Sequence, residues 1–344
     1  MSLRHINIPS TPWSHPPRCP TYRLAERVQK TLQDKLLSWK SASAGSTSTS
    51  TPTPTSTPTS SSPSSSAPPP PAPYLVSFTP SPTFTLGRRQ TTISPAERKA
   101  LEEKTHVETY RHNSRSSFWF NKTHVVQTPR GGLTTYHGPG QILFWPVIDL
   151  RSPLHKHFTV REYVSLLEQT TIAALKQVYD VDTYSDPEYP GVWARKVRLV
   201  MGPDGSDQMV EDEQGGKLAS LGVHLQRHVT GLGIAVNVRM GLQGDRRKNP
   251  WSRIAPCGHS HDDITTVSRV AKYSEIPLDS VPEKFVPAWA NEFAKRLGVA
   301  NAADPDAGPL VANDSWTKWM GELDLLGPPS SWKGCFDEAR KRKH

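Results

Sequence analysis

A long run of Ser, Thr, Pro and Ala without a single charged side chain occupies positions 41–73. Such a run has too few apolar groups to offset the conformational entropy that ordering it would remove. It is therefore predicted to be a disordered insertion. The chain of 344 residues contains 33 prolines, and we expect its packed portion to be shorter than the chain itself.

Composition limits the classes of protein to which the chain can belong. Its longest apolar run, Ile142–Ile148, is too short to cross a bilayer and is typical of a buried strand. The three cysteines, Cys19, Cys257 and Cys335, lack paired spacing, so neither a disulfide framework nor a structural zinc site is expected. The formal net charge of +9 favours acidic partners without naming them. The sequence predicts a soluble protein of a reducing compartment.

Hydrophobic periodicity predicts an α+β domain with a mixed β-sheet flanked by helices. Tyr22–Leu37 has apolar residues at helical spacing, and Thr159 with Glu162 forms a capping-box pattern that opens a second helix. A late helix is predicted around Trp289. The predicted strands are Tyr74–Phe78, Thr83–Leu86, His124–Thr128, Gln141–Ile148, Val192–Ala194, Val197–Val200, Leu218–His224 and Ile234–Val238.

The densest motif is the glycine-rich segment Arg130–Gln141, which reads Arg-Gly-Gly-Leu-Thr-Thr-Tyr-His-Gly-Pro-Gly-Gln. Glycine at such density indicates a loop whose main chain approaches another group closely or adopts positive φ. A glycine-rich turn between two strands is an equally good interpretation. A phosphate loop is excluded, since no Gly-Lys-Ser or Gly-Lys-Thr follows.

Cys257, between Pro256 and Gly258, is the candidate nucleophile. A nucleophilic cysteine needs a nearby positive charge or base because the thiolate is the attacking species, and Lys217 is a candidate for that charge. The alternatives without a catalytic role are that Cys257 is a buried apolar residue and that Lys217 is a solvated side chain at the end of a strand. A metal site is a further alternative, formed by Cys257, His259, His261, Asp262 and Asp263.

Four separated blocks together resemble the lipoyl(octanoyl) transferase family, which is similar in fold to the lipoate and biotin protein ligases. The resemblance covers roughly Tyr22–Leu297. The blocks are Phe84-Thr85-Leu86-Gly87-Arg88-Arg89, Arg130–Gln141, Lys217-Leu218-Ala219-Ser220-Leu221-Gly222 and Pro256-Cys257-Gly258.

This resemblance implies that Cys257 accepts the acyl group and that Lys217 lowers the pKa of its thiol. The implied domains are an N-terminal segment 1–21 with a first strand at 2–9, a catalytic domain 22–300, and a poorly ordered tail 301–344. The residues implied to bind the acyl group are Arg130, Gly131, Gly132, Leu133, Thr134, Thr135, Tyr136, His137, Ser220, Leu221, Gly222, Gly233, Ile234 and Ala235.

The implied reaction moves an octanoyl or lipoyl group from acyl carrier protein to a lysine of a lipoyl domain, as the first step of protein lipoylation. The implied acceptors are the E2 subunits of 2-oxoacid dehydrogenases and the H protein of glycine cleavage. No ATP, metal or other cofactor is expected, because the incoming thioester is already activated. The resemblance further implies a mitochondrial monomer that binds neither nucleic acid nor membrane.

The sequence departs from the family pattern at several positions. Trp145 stands where the family usually has tyrosine, Leu232 where it commonly has histidine, and His259 where an aromatic residue usually follows Cys-Gly. Besides 41–73, extra segments at 91–115, 201–215 and 243–252 lengthen the chain, and their polar composition predicts surface loops. The departures at Trp145, Leu232 and His259 lead us to expect that the pocket differs in detail from that of the family.

Three other functions remain open from the sequence. An ATP-dependent lipoate or biotin ligase would use the same fold without a catalytic cysteine, and the presence of both Lys217 and Cys257 argues against it. A basic nucleic-acid-binding module would fit the net charge, but the sequence has no helix-turn-helix or zinc-finger pattern. An inactive relative that serves as a scaffold is the third, and the intact Lys217 and Cys257 argue against it too.

Overall fold

A computed structural model describes residues 2–10, 18–45, 69–111, 114–201, 206–255, 264–271, 281–299, 311–313, 335–338 and 340–341. The prediction that 41–73 is a disordered insertion falls mostly outside these residues, although the first helix continues to Gly45. The helices are α1 (Tyr22–Gly45), α2 (Pro95–Leu101), α3 (Val160–Tyr179), α4 (Val267–Val270) and α5 (Val281–Leu297), with a 3₁₀ turn at Pro250–Arg253.

The described strands come in runs between these helices. They are β1 (Leu3–Asn7), β2 (Arg18–Pro20), β3 (Tyr74–Phe78), β4 (Thr83–Leu86), β5 (Thr105–Arg111), β6 (Ser114–Phe120), β7 (His124–Gln127), β8 (Thr135–His137), β9 (Gln141–Val147), β10 (Thr183–Ser185), β11 (Gly191–Met201), β12 (Asp207–Gln226), β13 (Val229–Asn237), β14 (Val311–Asn313), β15 (Phe336–Glu338) and β16 (Arg340–Lys341).

The main sheet is mixed, as predicted from the sequence. Over the described residues its strand order is β10-β11-β12-β13-β9-β3-β1-β14. Strand β1 pairs in parallel with β3 and β14, whereas the pairs from β3 to β10 are antiparallel. The predicted first strand at 2–9 is β1. A smaller sheet, β7-β4-β8, stands beside the main one.

Strand β9 is buried along its whole length because helices cover both faces of the sheet. Ile142 and Phe144 point into the core under α3 and α5, and Leu143 and Trp145 point into the core under α1. The ring of Phe144 stacks on that of Trp289 with centroids 4.2 Å apart. The helix predicted around Trp289 is therefore confirmed as α5.

Helix α3 begins where the capping-box pattern places it. The hydroxyl of Thr159 accepts the N–H of Glu162, and the Glu162 carboxylate accepts the N–H of Thr159. Its buried face includes Tyr163, Leu167 and Leu175. This arrangement satisfies two backbone donors that would otherwise lack partners and fixes the start of the helix.

Two of the extra segments, which were predicted to be surface loops, contain helix and strand. The 91–115 segment contains α2 and the hairpin that β5 forms with β6. Most of the 201–215 segment belongs to the β11–β12 hairpin, in which Val200 pairs with Gln208 and Arg198 with Val210. The 243–252 segment contains no strand and leads into the 3₁₀ turn.

The described parts of 301–344, predicted to be a poorly ordered tail, belong to the sheets. Strand β14 pairs with β1, β15 with β2 and β16 with β6. Cys335 is buried, and its sulfur accepts a hydrogen bond from the Arg27 guanidinium at 3.0 Å. Within the described ranges, none of the helices combines the length and the apolar character needed to span a bilayer.

Candidate active site

The glycine-rich segment crosses the small sheet as β8, where it pairs with β4. Side chains along a strand alternate between its two faces. Thr135 and His137 accordingly line one cavity, while the Tyr136 ring packs with Phe84 and Trp251 on the opposite face. The motif thus contains both a strand and a loop, and the two faces of the strand contact different parts of the molecule.

Arg130 holds the loop to the neighbouring block by hydrogen bonds from a guanidinium that is only 6% exposed. One terminal nitrogen donates to the carbonyl and hydroxyl oxygens of Thr85, at 2.6 and 2.9 Å. The other donates to the carbonyl oxygens of Gly131 and Leu133, at 3.0 and 2.8 Å. Both terminal nitrogens of this buried charge therefore help to shape the loop.

Glycines in the blocks allow their main chains to touch. A Cβ at Gly87 would lie 2.2 Å from the carbonyl oxygen of Gly132, which itself has a φ of +85°. A Cβ at Gly222 would lie 2.7 Å from the Arg130 side chain. The first three sequence blocks are therefore in direct contact, and their glycines are required by that contact rather than by turn geometry alone.

The second and third of these blocks, with β13 and β9, enclose a cavity, here called the motif cavity, between β8, β12, β13 and β9. Its volume is about 30 Å³, room for about one water molecule, so a longer guest requires the side chains of its wall to move. Its lining residues are Tyr22, Arg130, Thr135, His137, Leu143, Trp145, Ser220, Leu221, Gly222, Leu232, Gly233, Ile234 and Ala235.

The structure divides the residues predicted to bind the acyl group. Nine of the fourteen lie on the motif cavity, as its lining shows. Thr134 instead donates to the Gln90 side chain through its N–H and hydroxyl, at 3.1 and 2.7 Å, and Tyr136 belongs to the opposite face. Gly131, Gly132 and Leu133 form the loop around the Arg130 guanidinium.

Sequence reasoning missed four residues of the cavity wall as binding residues. Trp145 and Leu232 are two of the positions at which this chain departs from its family, and both side chains line the cavity. Tyr22 packs its ring 5.1 Å from that of Trp145 and 5.5 Å from that of His137. Leu143 completes the set. Because Trp145 and Leu232 depart from the family pattern, the sequence could have indicated that these two residues line the cavity.

A chain of hydrogen bonds runs from His137 toward Lys217. His137 Nδ1 lies 2.7 Å from Gln141 Oε1, and Gln141 Nε2 donates to Asn237 Oδ1 at 2.8 Å. Asn237 Nδ2 donates to the carbonyl oxygen of Thr265 at 3.2 Å, and the Thr265 N–H donates to the carbonyl oxygen of Lys217 at 3.0 Å. The chain connects two of the sequence blocks, Arg130–Gln141 and the one that begins at Lys217, through the buried groups of Asn237 and Thr265.

The direction of this chain fixes the proton on His137. Asn237 must present its amide N–H to a carbonyl, so its oxygen faces Gln141, and Gln141 in turn presents its oxygen to His137. Nδ1 therefore carries the proton and Nε2 is an acceptor. Burial, aided by the charge of Arg130, lowers the pKa of His137 to about 3. The ring is neutral at physiological pH.

Lys217 is a buried lysine, only 7% exposed, at an irregularity of β12. Its Nζ lies 5.1 Å from the centroid of the Trp193 ring, a cation–π distance. Its side chain passes over Gly191, where a Cβ would lie 2.8 Å from Cε of the lysine. The prediction of a solvated lysine at a strand end does not hold, since this side chain is packed and directed.

Glu168 on α3 supplies a negative charge to this region and was not anticipated from the sequence. It is 7% exposed, and one carboxylate oxygen accepts the N–H of Gly191 at 2.8 Å. Burial raises the pKa of Glu168, while the Gly191 N–H and the charge of Lys217 oppose that rise. A buried ammonium without such compensation would be costly, so Glu168 and Trp193 help to retain the charge of Lys217.

Cys257 lies outside the described residues, as do Pro256, Gly258 and the other members of the alternative metal site. Within the described ranges, no group of three or more potential ligands is placed to hold a metal ion. The described flanks of the 256–263 segment meet in one cluster, where Ile254 packs against a core that contains Tyr136 and Ile264. Ile264 also forms a parallel bridge with Lys217.

Comparison with known proteins identifies the class of this chain. Residues 65–290 match the family model of the lipoyl protein ligase A/B catalytic domain. The chain belongs to this family, and the resemblance to lipoyl(octanoyl) transferases noted in the sequence is confirmed.

Curated relatives narrow the likeness to one kind of family member. The octanoyltransferase of Haemophilus influenzae strain PittEE is 32% identical over 174 residues, which cover 51% of this chain and 67% of the relative. That of Cellvibrio japonicus strain Ueda107 is 36% identical over 175 residues, covering 51% and 65%. A solved bipartite lipoate protein ligase from Thermoplasma acidophilum is 11% identical, with a TM-score of 0.45 over 94% of this chain and 91% of the other.

Proposed function

We propose that the chain is an octanoyltransferase that moves an octanoyl group from the thioester of an acyl carrier protein to a lysine of a lipoyl domain, through a thioester on Cys257. The observation that carries the proposal is that the segments 130–141 and 217–222 both line the motif cavity, that the segment 84–89 packs against the first of them, and that the second begins with the buried Lys217. Membership of the family and the octanoyltransferases among the relatives support it.

The position of Cys257 along the chain supports its role. It follows Ile254 by three residues, and three residues of extended chain span at most about 11 Å. Ile254 packs in the cluster of Tyr136 and Ile264, and Ile264 pairs with the main chain of Lys217. Cys257 can therefore reach the neighbourhood of Lys217, and an ammonium group within about 4 to 6 Å of the thiol would stabilise its thiolate.

The proposed reaction has two acyl transfers. The Cys257 thiolate attacks the donor carbonyl, the carbon–sulfur bond to the carrier breaks, and the carrier leaves as a thiolate that takes up a proton. The amine of the target lysine then attacks the new thioester, an amide forms, a proton is released from the nitrogen, and the Cys257 thiolate is regenerated. Each step exchanges one acyl bond for another, so ATP has no part in the balance.

The lining of the motif cavity suits an aliphatic guest. Leu143, Trp145, Leu221 and Ile234 present apolar surface, and Gly222 and Gly233 leave the main chain accessible. Burying each methylene of an acyl chain stabilises the complex by about 0.8 kcal/mol. The small free volume means that the wall must open as the chain enters. Arg130, which lines the cavity and packs against Gly222, is held by four hydrogen bonds, so the apolar side chains are the ones expected to move.

The proposed acceptors are the lipoyl domains of 2-oxoacid dehydrogenase E2 subunits and the H protein of glycine cleavage. We also propose a mitochondrial location and a monomeric state, on the family resemblance alone. The net charge of +9 fits an acidic carrier protein as donor, because opposite charges accelerate encounter at low ionic strength.

Intact-protein mass spectrometry after mixing with octanoyl carrier protein tests the proposal. We expect one octanoyl adduct per chain without ATP, its loss in Cys257→Ala, and its transfer to a lipoyl domain added afterwards. Cys19→Ala and Cys335→Ala are matched controls, since both side chains are buried and burial raises the pKa of Cys19. Acyl transfer that requires ATP and survives Cys257→Ser would replace the transferase with a ligase.

A further inference from the structure

A second cavity, here called the insertion cavity, lies on the face of β8 that carries Tyr136. Its volume is about 400 Å³, within the range of roughly 300–1,000 Å³ that is typical of small-molecule sites. Its walls are β5, the loop at Tyr136 and Pro139, residues 239–250, and α4. Two of these walls belong to the segments 91–115 and 243–252 that lengthen this chain, so the cavity is a feature of the insertions.

The charge on its described walls is predominantly positive. Arg239, Lys248 and Arg269 line the cavity, against a single described carboxylate, Glu108. Setting the histidine His106 aside, three cations and one anion leave a net charge of two positive units. Lys248 and Arg269 are solvent-exposed, so their charges stand at the entrance where a ligand from solution meets them.

The segment that carries Lys248 is held in one conformation by its own contacts. The Asp245 carboxylate accepts the N–H groups of Arg247 and Lys248, at 2.9 and 3.2 Å. The carbonyl oxygen of Lys248 would lie 2.4 Å from a Cβ at Gly241, so the two sides of the loop are in backbone contact. The His106 N–H donates to the carbonyl oxygen of Arg247 at 2.9 Å and joins the two insertions.

We infer that the insertion cavity binds the phosphate monoester group of a small molecule. A phosphate monoester carries about 1.5 to 2 negative charges at neutral pH, which matches the net charge of the described walls. Arginine side chains are suited to phosphate oxygens because their planar forks donate paired hydrogen bonds. The volume exceeds the need of a bare ion and leaves space for an organic part. This site is beyond the proposed acyl transfer, which does not require it.

Isothermal titration calorimetry of the full chain tests the inference without any acyl donor, so its outcome is independent of the transferase proposal. The probes are ribose 5-phosphate, inorganic phosphate and, as the uncharged counterpart, ribose. We expect ribose 5-phosphate to bind and ribose not to bind. We also expect the affinity to fall about tenfold in Lys248→Gln and further in the triple variant Arg239→Gln, Lys248→Gln, Arg269→Gln.

Lys35→Gln is the matched control, because this exposed lysine on α1 lines neither cavity and the substitution removes the same charge. Equal binding in Lys35→Gln and wild type, with loss in Lys248→Gln, supports the site. Stronger binding of ribose 5-phosphate than of inorganic phosphate supports an ester, and equal binding reassigns the site to the free ion. No binding of either probe, or equal binding in Lys248→Gln and wild type, overturns the inference.

Discussion

The motif cavity and the insertion cavity share β8 as a wall and differ in almost every other respect. The first is small and largely apolar, with one cation, Arg130, bonded back to its own loop. The second is about 400 Å³ and carries three cations on its described walls. One strand thus separates a tight apolar pocket from an open cationic one, and strand alternation decides which side chain serves which.

The contrast shows that the family core and the insertions contribute to different cavities, which are built from different kinds of contact. Contacts between main chains build the motif cavity, so its shape depends on glycines and on buried polar pairs. The other cavity is built in part by the insertions, which supply Lys248 and Glu108, and in part by Arg239 and Arg269 from the neighbouring core segments. Perturbations of the motif cavity should therefore alter stability and acyl transfer, whereas those of the insertion cavity should alter only binding.

The largest effect at neutral pH is expected for Gly87→Ala. Its new methyl group would meet the carbonyl oxygen of Gly132 at 2.2 Å, and overpacking against backbone costs about 3 kcal/mol of unfolding free energy. Gly131→Ala is the control, because nothing lies within 4 Å of a Cβ there, and it should change stability by less than about 1 kcal/mol. Urea unfolding measures both, and equal destabilisation would show that the blocks are not in backbone contact.

Acid should weaken the motif cavity through His137. The pKa of this buried ring is about 3, below its ordinary value of about 6.5, so the unfolded state binds more protons between these two values. Stability should then fall as pH decreases from about 6.5 toward 3, by up to about 1.4 kcal/mol per pH unit. His137→Gln should flatten this dependence in unfolding titrations. The exposed His228→Asn should not, and an unchanged slope in His137→Gln would contradict a buried neutral ring.

Lys217→Ala should slow acyl-adduct formation on the proposed nucleophile about thirtyfold at pH 7. A thiol at its ordinary pKa of about 8.5 is only about 3% thiolate at that pH. The rate should recover as pH rises past this value, because the thiolate then forms without help. Rapid-quench mass spectrometry over pH 6 to about 10 measures this, with Lys35→Ala as control. A deficit that stays constant at all pH values would point to a structural role for Lys217.

Glu168→Gln should have the smallest effect, about threefold on the same rate. The amide oxygen can still accept the Gly191 N–H, but the compensating charge beside Lys217 is gone. The rate should therefore fall only below the ordinary pKa of the thiol, about 8.5, because a larger fraction of Lys217 has lost the proton that favours the thiolate, and it should match wild type above that pH. Glu162→Gln, on the exposed first turn of the same helix, removes the same charge elsewhere. Identical profiles for Glu168→Gln and wild type would remove this role.

Sequence patterns predicted the buried elements well because burial imposes periodicity. The capping box at Thr159, the apolar run of β9 and the aromatic spacing around Trp289 each record a face that packs. The strand at Val197–Val200 was predicted and lies in β11, but the outer part of β12, residues 207–216, escaped prediction because its mostly polar sequence has no apolar alternation and pairs with β11 through main-chain groups. Helix α2 left a readable signal, since Ser94, Pro95 and Glu97 form a capping box with proline at the first turn.

The candidate site was likewise predicted in part: the sequence indicated the segments that meet, but not every residue that acts there. The motifs predicted which segments meet, because the main chain of Gly132 leaves no room for a Cβ at Gly87 and the Arg130 side chain leaves none at Gly222. They did not predict Glu168, whose position between the apolar residues of α3 resembles that of any polar residue on an amphipathic helix. Its burial depends on where Gly191 and Lys217 arrive from distant strands, which no local pattern records.

The hydrogen-bond chain from His137 to Thr265 has a polarity, and that polarity restricts which residues can stand in it. Every link has a donor on one side and an acceptor on the other. The side-chain amides of Gln141 and Asn237 can each occupy a middle position because each accepts a hydrogen bond through its oxygen and donates one through its nitrogen. An aspartate at Asn237 has nearly the same shape yet offers only acceptors, and it would face the carbonyl of Thr265 with an oxygen. A side chain of similar volume is thus no substitute here, and a search for tolerated replacements at this position should rank candidates by donor count before size.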